Sequence, residues 1–186
     1  MNATEMNDQV HSHEPKRRYR PVLGVLGYAI DPEAGTVLLI HRNRRPEDFH
    51  RGKYNGLGGK VEAGENIFAA MRREFFEESG LTATRLRLKG TISWPGFGVD
   101  ANGEAEDWFG FIFLIDAWEG TLRPQSDEGE TGWIDLGRLA RLELPLWPGD
   151  RHFLPLLLDD GVAEFHGVMP YVDGQPASWD VEIVPA

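Results

Sequence analysis

Three carboxylates, Glu74, Glu77 and Glu78, crowd the string RREFFEES. At about 100° per residue a helix would bring Glu77, Glu78, Ile67, Ala70 and Met71 to within about 60° of Glu74. An ordinary amphipathic helix segregates acidic from apolar residues, because a buried carboxylate without a partner costs several kcal/mol or takes up a proton. Arg73 can pair with Glu77 at i, i+4, but one guanidinium cannot neutralise three carboxylates. A hard divalent cation with oxygen ligands, most simply Mg²⁺, can. Taken alone, the acidic string could equally be a solvated helix face. Just upstream, however, lies NGLGGKVEAGE, whose glycines let backbone groups approach a ligand closely. A glycine-rich loop running into an acidic helix can coordinate metal and phosphate together.

The elements that must position these residues are legible around them. Asn66 is placed as an N-cap and Gly80 as the residue after the last turn, which predicts a helix over Ile67 to Ser79. Before it, HRNRRPEDFHRGKYNGLGGK is a long charged loop, of the kind that carries function. The apolar runs PVLGVLGYAI and TVLLIH, separated by DPEAG, predict an antiparallel pair. RLRLKGTISW, DWFGFIFLIDAW and GWIDL predict further strands, with turns at FGVDANGE and around PQSDEGE. WPGDRHFLPLLLDD reads as a helix despite Pro155. FHGVMPYV and SWDVEIV, joined at VDGQ, read as a closing hairpin. The expected class is α/β, a mixed sheet covered by helices on both faces. No internal repeat or dividing linker is visible.

The chain has 186 residues with a net charge of −11, 41% hydrophobic residues and no cysteine. That length and composition fit one globular domain over residues 20–186, preceded by a disordered polar tail over residues 1–19. The negative field argues against nucleic acid as a partner, although an anionic substrate remains open to an acidic protein that holds divalent cations. Disulfides and thiolate chemistry are excluded. No apolar run suits a signal peptide or membrane span, so the expectation is a cytoplasmic protein without membrane contact.

Taken together, Gly59, Glu65, Arg73, Glu74, Phe75, Glu77, Glu78, Gly80 and Leu81 match the Nudix box, G-x5-E-x7-R-E-U-x-E-E-x-G-U, at all seven fixed positions. Chance produces such a match on the order of once in a million chains. Phe75 stands where the family usually places Ile, Leu or Val. Over roughly residues 21 to 184 the chain resembles the MutT-type oxidised-purine nucleoside triphosphatases. YNGLGGKVEAGE, Ser126-Asp127-Glu128 ahead of Trp133, and LWPGDRHFLPLLL are similar to their corresponding segments. The resemblance implies a Nudix α/β/α sandwich. It also implies that the Gly59 carbonyl, Glu74, Glu77, Glu78 and Glu128 hold Mg²⁺, with Mn²⁺ as a substitute. Glu65 and Arg73 would brace the loop and helix.

For the base, the resemblance implies Asn55 reading an edge, Trp147 stacking, Asp150 hydrogen bonding and Trp94 as a pocket aromatic. Each tryptophan would otherwise be ordinary core. Glu128 fits a turn carboxylate equally well, and Arg42 fits either a place near the substrate or the surface. Where mammalian members place two adjacent aspartates, this chain has Gly149 and Asp150. His41, His50, His152 and His166 show no metal-ligand spacing and receive no role.

The implied reaction is Mg²⁺-dependent hydrolysis of a small-molecule nucleotide, 8-oxo-dGTP to 8-oxo-dGMP and pyrophosphate, with Glu77, Glu78 or Glu128 as the catalytic base. Two other readings stay open: hydrolysis of another nucleoside diphosphate linked to X, and a non-catalytic nucleotide sensor. Oligomeric state is also left open.

Overall fold

Alternating side chains along the central strands serve two opposite cores at once. On the strand over Ala105–Gly120, Ile112 and Leu114 face one apolar cluster while Phe113 and Ile115 face the other. On the strand over Thr36–His41, Val37 and Leu39 likewise oppose Leu38. A strand buried on both faces reads as a continuous apolar run, which is why PVLGVLGYAI and FIFLI lack a polar side.

The computed structural model describes residues 19–100 and 103–186. Its elements are β1 (Val22–Asp31), β2 (Thr36–His41), β3 (Tyr54–Asn55), β4 (Leu57–Lys60), α1 (Ile67–Ser79), β5 (Leu81–Val99), β6 (Ala105–Gly120) and β7 (Glu130–Asp135). There follow α2 (Leu136–Ala140), α3 (Asp150–Leu158), β8 (Val162–Val168), β9 (Tyr171–Val172), β10 (Gln175–Pro176) and β11 (Asp180–Pro185). The main sheet runs β11-β8-β5-β6-β1-β2-β3, with β4 also paired to β1 and β7 to β2. The β1–β6 and β5–β8 pairs are parallel and the others antiparallel. Ala70, Met71 and Phe75 of α1 close one face, whereas Leu139 of α2 and Phe153, Leu154 and Leu157 of α3 close the other. The fold is the expected α/β sandwich around a mixed sheet.

Pairing along β1 is divided. Gly24–Gly27 pair with β4, and Ala29–Asp31 pair with β2. The same strand therefore anchors the glycine-rich segment and the opening hairpin, and the residues between Arg42 and Lys53 must loop out between them. That excursion is closed on itself, with Arg42 N–H on Lys53 O at 2.9 Å and Gly52 N–H on Arg42 O at 2.6 Å.

α1 has the expected bounds. Asn66 Oδ1 accepts from Phe68 and Ala69 N–H at 3.0 Å each, and Gly80 takes a left-handed φ of 75° while its N–H bonds Phe76 O. Phe75 is fully buried in the core, a packing role that tolerates the larger ring.

The structure refines two of these readings and adds one element. The expected closing hairpin forms as β8 against β11, and inside it the VDGQ turn closes a further small β9–β10 pair. The turn expected at FGVDANGE lies in its second half: β5 continues to Val99 through an irregularity between Trp94 and Gly98 that absorbs Pro95 and Gly96, and Gly103 N–H then bonds Asp100 O at 3.0 Å. The five-residue α2, too short for a periodic signal, follows β7 with Asp135 as its cap. Of the expected tail, residues 1–18 lie outside the described residues. Tyr19 is described, and its hydroxyl reaches Ser93 Oγ at 2.5 Å. Among the described residues no helix is long and apolar enough to cross a membrane.

Phe75→Ala should remove about 3–5 kcal/mol of stability through loss of burial and the cavity left behind. Urea unfolding monitored by circular dichroism measures it; a loss under about 1 kcal/mol would show that α1 is not held by this ring.

Candidate active site

The acidic helix splits its carboxylates by depth. Glu78 is only 5% exposed and accepts Gly58 N–H at Oε2, 2.7 Å away. Burial, and then the nearby charge of Glu128, push the Glu78 pKa well above the usual carboxylate range, against the Gly58 bond and Arg42. Glu74 is half-buried and its pKa is raised, chiefly by burial, while Arg73 opposes the shift. Glu77, its side chain 56% exposed, sits at the rim.

Arg73 fastens this arrangement. It reaches both Glu65 carboxylate oxygens at 2.7 and 3.2 Å, Glu74 at 2.7 Å, Glu77 at 3.3 Å and the Lys60 carbonyl at 3.0 Å. Its hydrogen bond holds Glu65 below the usual carboxylate range, helped by Glu62 N–H. A single guanidinium thus ties the glycine-rich loop to α1. The absent side chain at Gly59 matters here: a Cβ would lie 2.5 Å from the Glu74 carboxylate.

Glu128 reaches the same cleft from the loop before β7. Arg42 and Arg45 bond its two oxygens, the latter at 3.1 Å. Arg42 also holds Asp48 Oδ2 at 2.7 Å and is largely covered. Burial alone would lower the Arg42 pKa, but Asp48 and Glu128 outweigh it and the net shift is upward.

A cleft of about 390 Å³ joins these acids to a group of aromatic rings. Gly59, Glu74, Glu128, Arg42, Asn55, Trp94, Trp147 and Asp150 all line it, eight of the twelve expected site residues. Glu78 lies beneath its floor, bonded to the lining residue Gly58. Glu77, Glu65 and Arg73 are outside the lining. Another depression, of about 300 Å³, is lined by Leu39, His41, Tyr54 and Thr131 and holds none of the expected residues.

At the aromatic end, Trp147 stacks against Phe49 at 4.8 Å and meets Phe97 edge-on at 5.1 Å. Phe97 in turn packs edge-on against Tyr171 at 4.9 Å. Asp150, the first residue of α3, accepts Trp147 N–H at 3.0 Å. Burial pushes its carboxyl up to about 7, with the Trp147 bond and Lys53 opposing. His50, Phe97, Tyr28 and Tyr171 also line the cleft and were not singled out in the sequence. The signal for Tyr28 was its alternation with Ala29 on β1; the other three are brought in by long-range packing.

Residues 20–157 match the family model described as NUDIX domain. The chain belongs to the Nudix family. As a Nudix hydrolase it cleaves nucleotide phosphoric anhydride bonds. It is 38% identical over 126 residues to the oxidized purine nucleoside triphosphate hydrolase of Danio rerio, covering 68% of this chain and 74% of that one. It is 33% identical over 130 residues to the ADP-ribose pyrophosphatase of Methanocaldococcus jannaschii, covering 68% and 71%. Among solved structures it resembles the MutT protein of Bacillus halodurans, with a TM-score of 0.71 and 29% identity, covering 87% of this chain and 97% of that one.

Nudix hydrolases generally use a divalent metal, typically Mg²⁺. Among the described residues no three Asp, Glu or His side chains are gathered as ligands, and Arg42, Arg45 and Arg73 bond Glu128 and Glu74. The donor chemistry nonetheless fits a hard cation. Carboxylates and a backbone segment free of Cβ share one site, and a cation would offset what burial, and then the charge of Glu128, impose on Glu78.

Asp150 supplies a pH-dependent prediction. Between its ordinary value of 3.8 and about 7, the folded protein keeps a proton that the unfolded chain has released. The associated stability is complete below the lower value, falls as pH rises toward the upper one, and is constant above. Asp150→Asn cannot ionise and keeps an acceptor for Trp147 N–H. Its melting temperature should therefore rise relative to the wild type between pH 5.5 and 8.5, and a difference that stays constant across that range would contradict the shift.

Proposed function

We propose that the chain hydrolyses oxidised purine nucleoside triphosphates, with 8-oxo-dGTP the preferred substrate, to the monophosphate and pyrophosphate, clearing the nucleotide pool. The observation that carries this reading is the single cleft that joins the acidic end to an aromatic end holding Asn55, Trp147 and Asp150. A nucleotide needs both, one for its phosphates and one for its base. The similarity to the Danio rerio hydrolase supports the choice of base.

Gly59, Glu74, Glu77, Glu78 and Glu128 would hold Mg²⁺, or Mn²⁺ in its place, which supplies charge neutralisation for the phosphates and activates water at neutral pH. Arg42, already turned into the cleft, is placed to bind phosphate oxygens. The proton lost by the attacking water passes to a carboxylate, with Glu77, Glu78 and Glu128 as the alternatives. Glu65 and Arg73 keep the glycine-rich loop seated on α1.

At the other end, Trp147 offers a ring for stacking, worth about 1–3 kcal/mol per base, and Trp94 helps to wall the pocket. Asn55 and Asp150 read the base edge. Asp150 is held near neutrality between its two protonation states, so it can donate as well as accept. Oxidation at C8 converts the purine N7 from an acceptor to an N–H donor and adds a carbonyl. A site built to pair polar groups therefore separates the two bases sharply.

The test is a Mg²⁺-dependent panel of 8-oxo-dGTP, dGTP, ADP-ribose, a nucleotide sugar and a dinucleoside tetraphosphate, with pyrophosphate and phosphate resolved. Strong preference for 8-oxo-dGTP with pyrophosphate release is expected. Equal turnover of dGTP, or preference for another compound, would replace this reading, and cleavage of none would favour a nucleotide sensor. On the preferred substrate, Glu78→Gln should lower kcat by at least ~10²-fold while the melting curve stays close to wild type.

A further inference from the structure

Two of the side chains assigned to the base, Asn55 and Trp147, share one hydrogen-bond partner outside the Nudix box. Trp147 Nε1 lies 2.9 Å from His50 Nδ1, and Asn55 Nδ2 lies 3.3 Å from the same atom. We propose that His50 is a positioning residue for base recognition, its Nδ1 serving as the common acceptor that sets the indole of Trp147 and the amide sense of Asn55. The role rests on the reading above, in which this cleft takes an oxidised purine nucleotide.

The chemistry of the partners leaves little freedom. An indole N–H can only donate, so Nδ1 must accept, and the ring is the neutral tautomer with its proton on Nε2. The Asn55 group facing it is then the NH₂, which shares the one lone pair of Nδ1 at the longer distance of 3.3 Å and turns Oδ1 elsewhere as an acceptor. Burial, followed by the Arg42 charge, lowers the His50 pKa to about 4, against Asp48, so the acceptor persists at neutral pH.

His50 is itself held from two directions. Its backbone N–H bonds Asp48 Oδ1 at 2.9 Å, and Asp48 Oδ2 is held by Arg42. Its ring meets Trp147 and Phe49 edge-on, each at 5.5 Å, and Phe97 at 6.0 Å. The orienting group is thus fixed by backbone and packing, as positioning requires.

The consequence is selectivity. An amide locked with its oxygen available pairs with an N–H donor, which an oxidised purine carries at N7 and an unoxidised one lacks. An amide free to flip can satisfy either. Without the His50 acceptor, discrimination should fall more than turnover does.

His50→Leu removes the acceptor and keeps apolar bulk, while His50→Asn places an amide oxygen near the position of Nδ1. For His50→Leu we expect KM for 8-oxo-dGTP to rise about tenfold, kcat to fall by no more than about threefold, and the kcat/KM ratio of 8-oxo-dGTP over dGTP to drop about tenfold. His50→Asn should restore most of the ratio. The Trp147 indole N–H resonance, assigned by its loss in Trp147→Phe, should move in His50→Leu and return toward its wild-type position in His50→Asn, independently of substrate. An unchanged ratio in His50→Leu, whatever the resonance does, overturns the role, as does an equal loss on both nucleotides or a resonance that stays in place. Wild-type enzyme that turns over both nucleotides equally overturns the substrate reading, and this role with it.

Discussion

A carboxylate buried at the end of a helix is the constraint around which this molecule is arranged. Glu78 is nearly inaccessible, close to the charge of Glu128, and has one backbone N–H as its direct partner. Burying such a group is costly unless something compensates. The partner is Gly58 N–H, available because β4 is paired to the first half of β1 and cannot drift from α1. Thr131 then donates its hydroxyl to the Glu78 carbonyl at 3.1 Å, and Arg123 reaches the Glu77 carbonyl at 3.2 Å. The C-terminal turn of α1 is thereby fixed from the sheet side and from the following loop.

The divided pairing of β1 carries this constraint to the rest of the cleft. One half of the strand seats the glycine-rich segment beside the acids, and the other half starts the hairpin from which the loop over residues 42–53 departs. That loop returns at Tyr54, whose N–H bonds Pro145 O, while Lys53 Nζ bonds Leu146 O at 3.1 Å. The segment ahead of α3 is thus tied to the loop, and Trp147 and Asp150 arrive opposite Asn55. The acidic and aromatic ends of the cleft lie far apart in sequence but depend on the same strand.

What could be read in advance follows from how local each signal is. The bounds of α1 were legible because Asn66, Gly80 and the acidic pattern act within a few residues of each other. The box residues were legible because their spacing is fixed by a loop and a helix in direct succession. The closing hairpin was legible as two apolar strands around the VDGQ turn, but the β9–β10 pair nested inside it was not, since strands of two residues carry no periodic signal. His50 was unreadable for a stronger reason. Its role depends on a bond to Trp147, 97 residues away, and in its own segment it is one more polar residue in a charged loop. Glu128 and Arg42 were ambiguous singly, and they become interpretable only as partners of one another.

That last pair bears on how an acidic cleft can exist before any cation or substrate enters it. With a net charge of −11, the protein must hold its carboxylates apart or offset them locally. Arg73 does so beside the cleft and Arg42 within it, so the charges are balanced by side chains that a cation and a phosphate can replace in turn. Arg42 has a second partner, Asp48, and the other oxygen of Asp48 accepts the backbone N–H of His50. Direct contacts therefore run from Glu128 through Arg42 and Asp48 to His50, and from there to Trp147 and Asn55. The links are charged groups, a backbone N–H, a ring and an amide, and loosening the first removes a restraint on the residues at the aromatic end. The acid end and the base end are consequently one continuous polar structure, and the loop that joins them is as much a part of the site as the box itself.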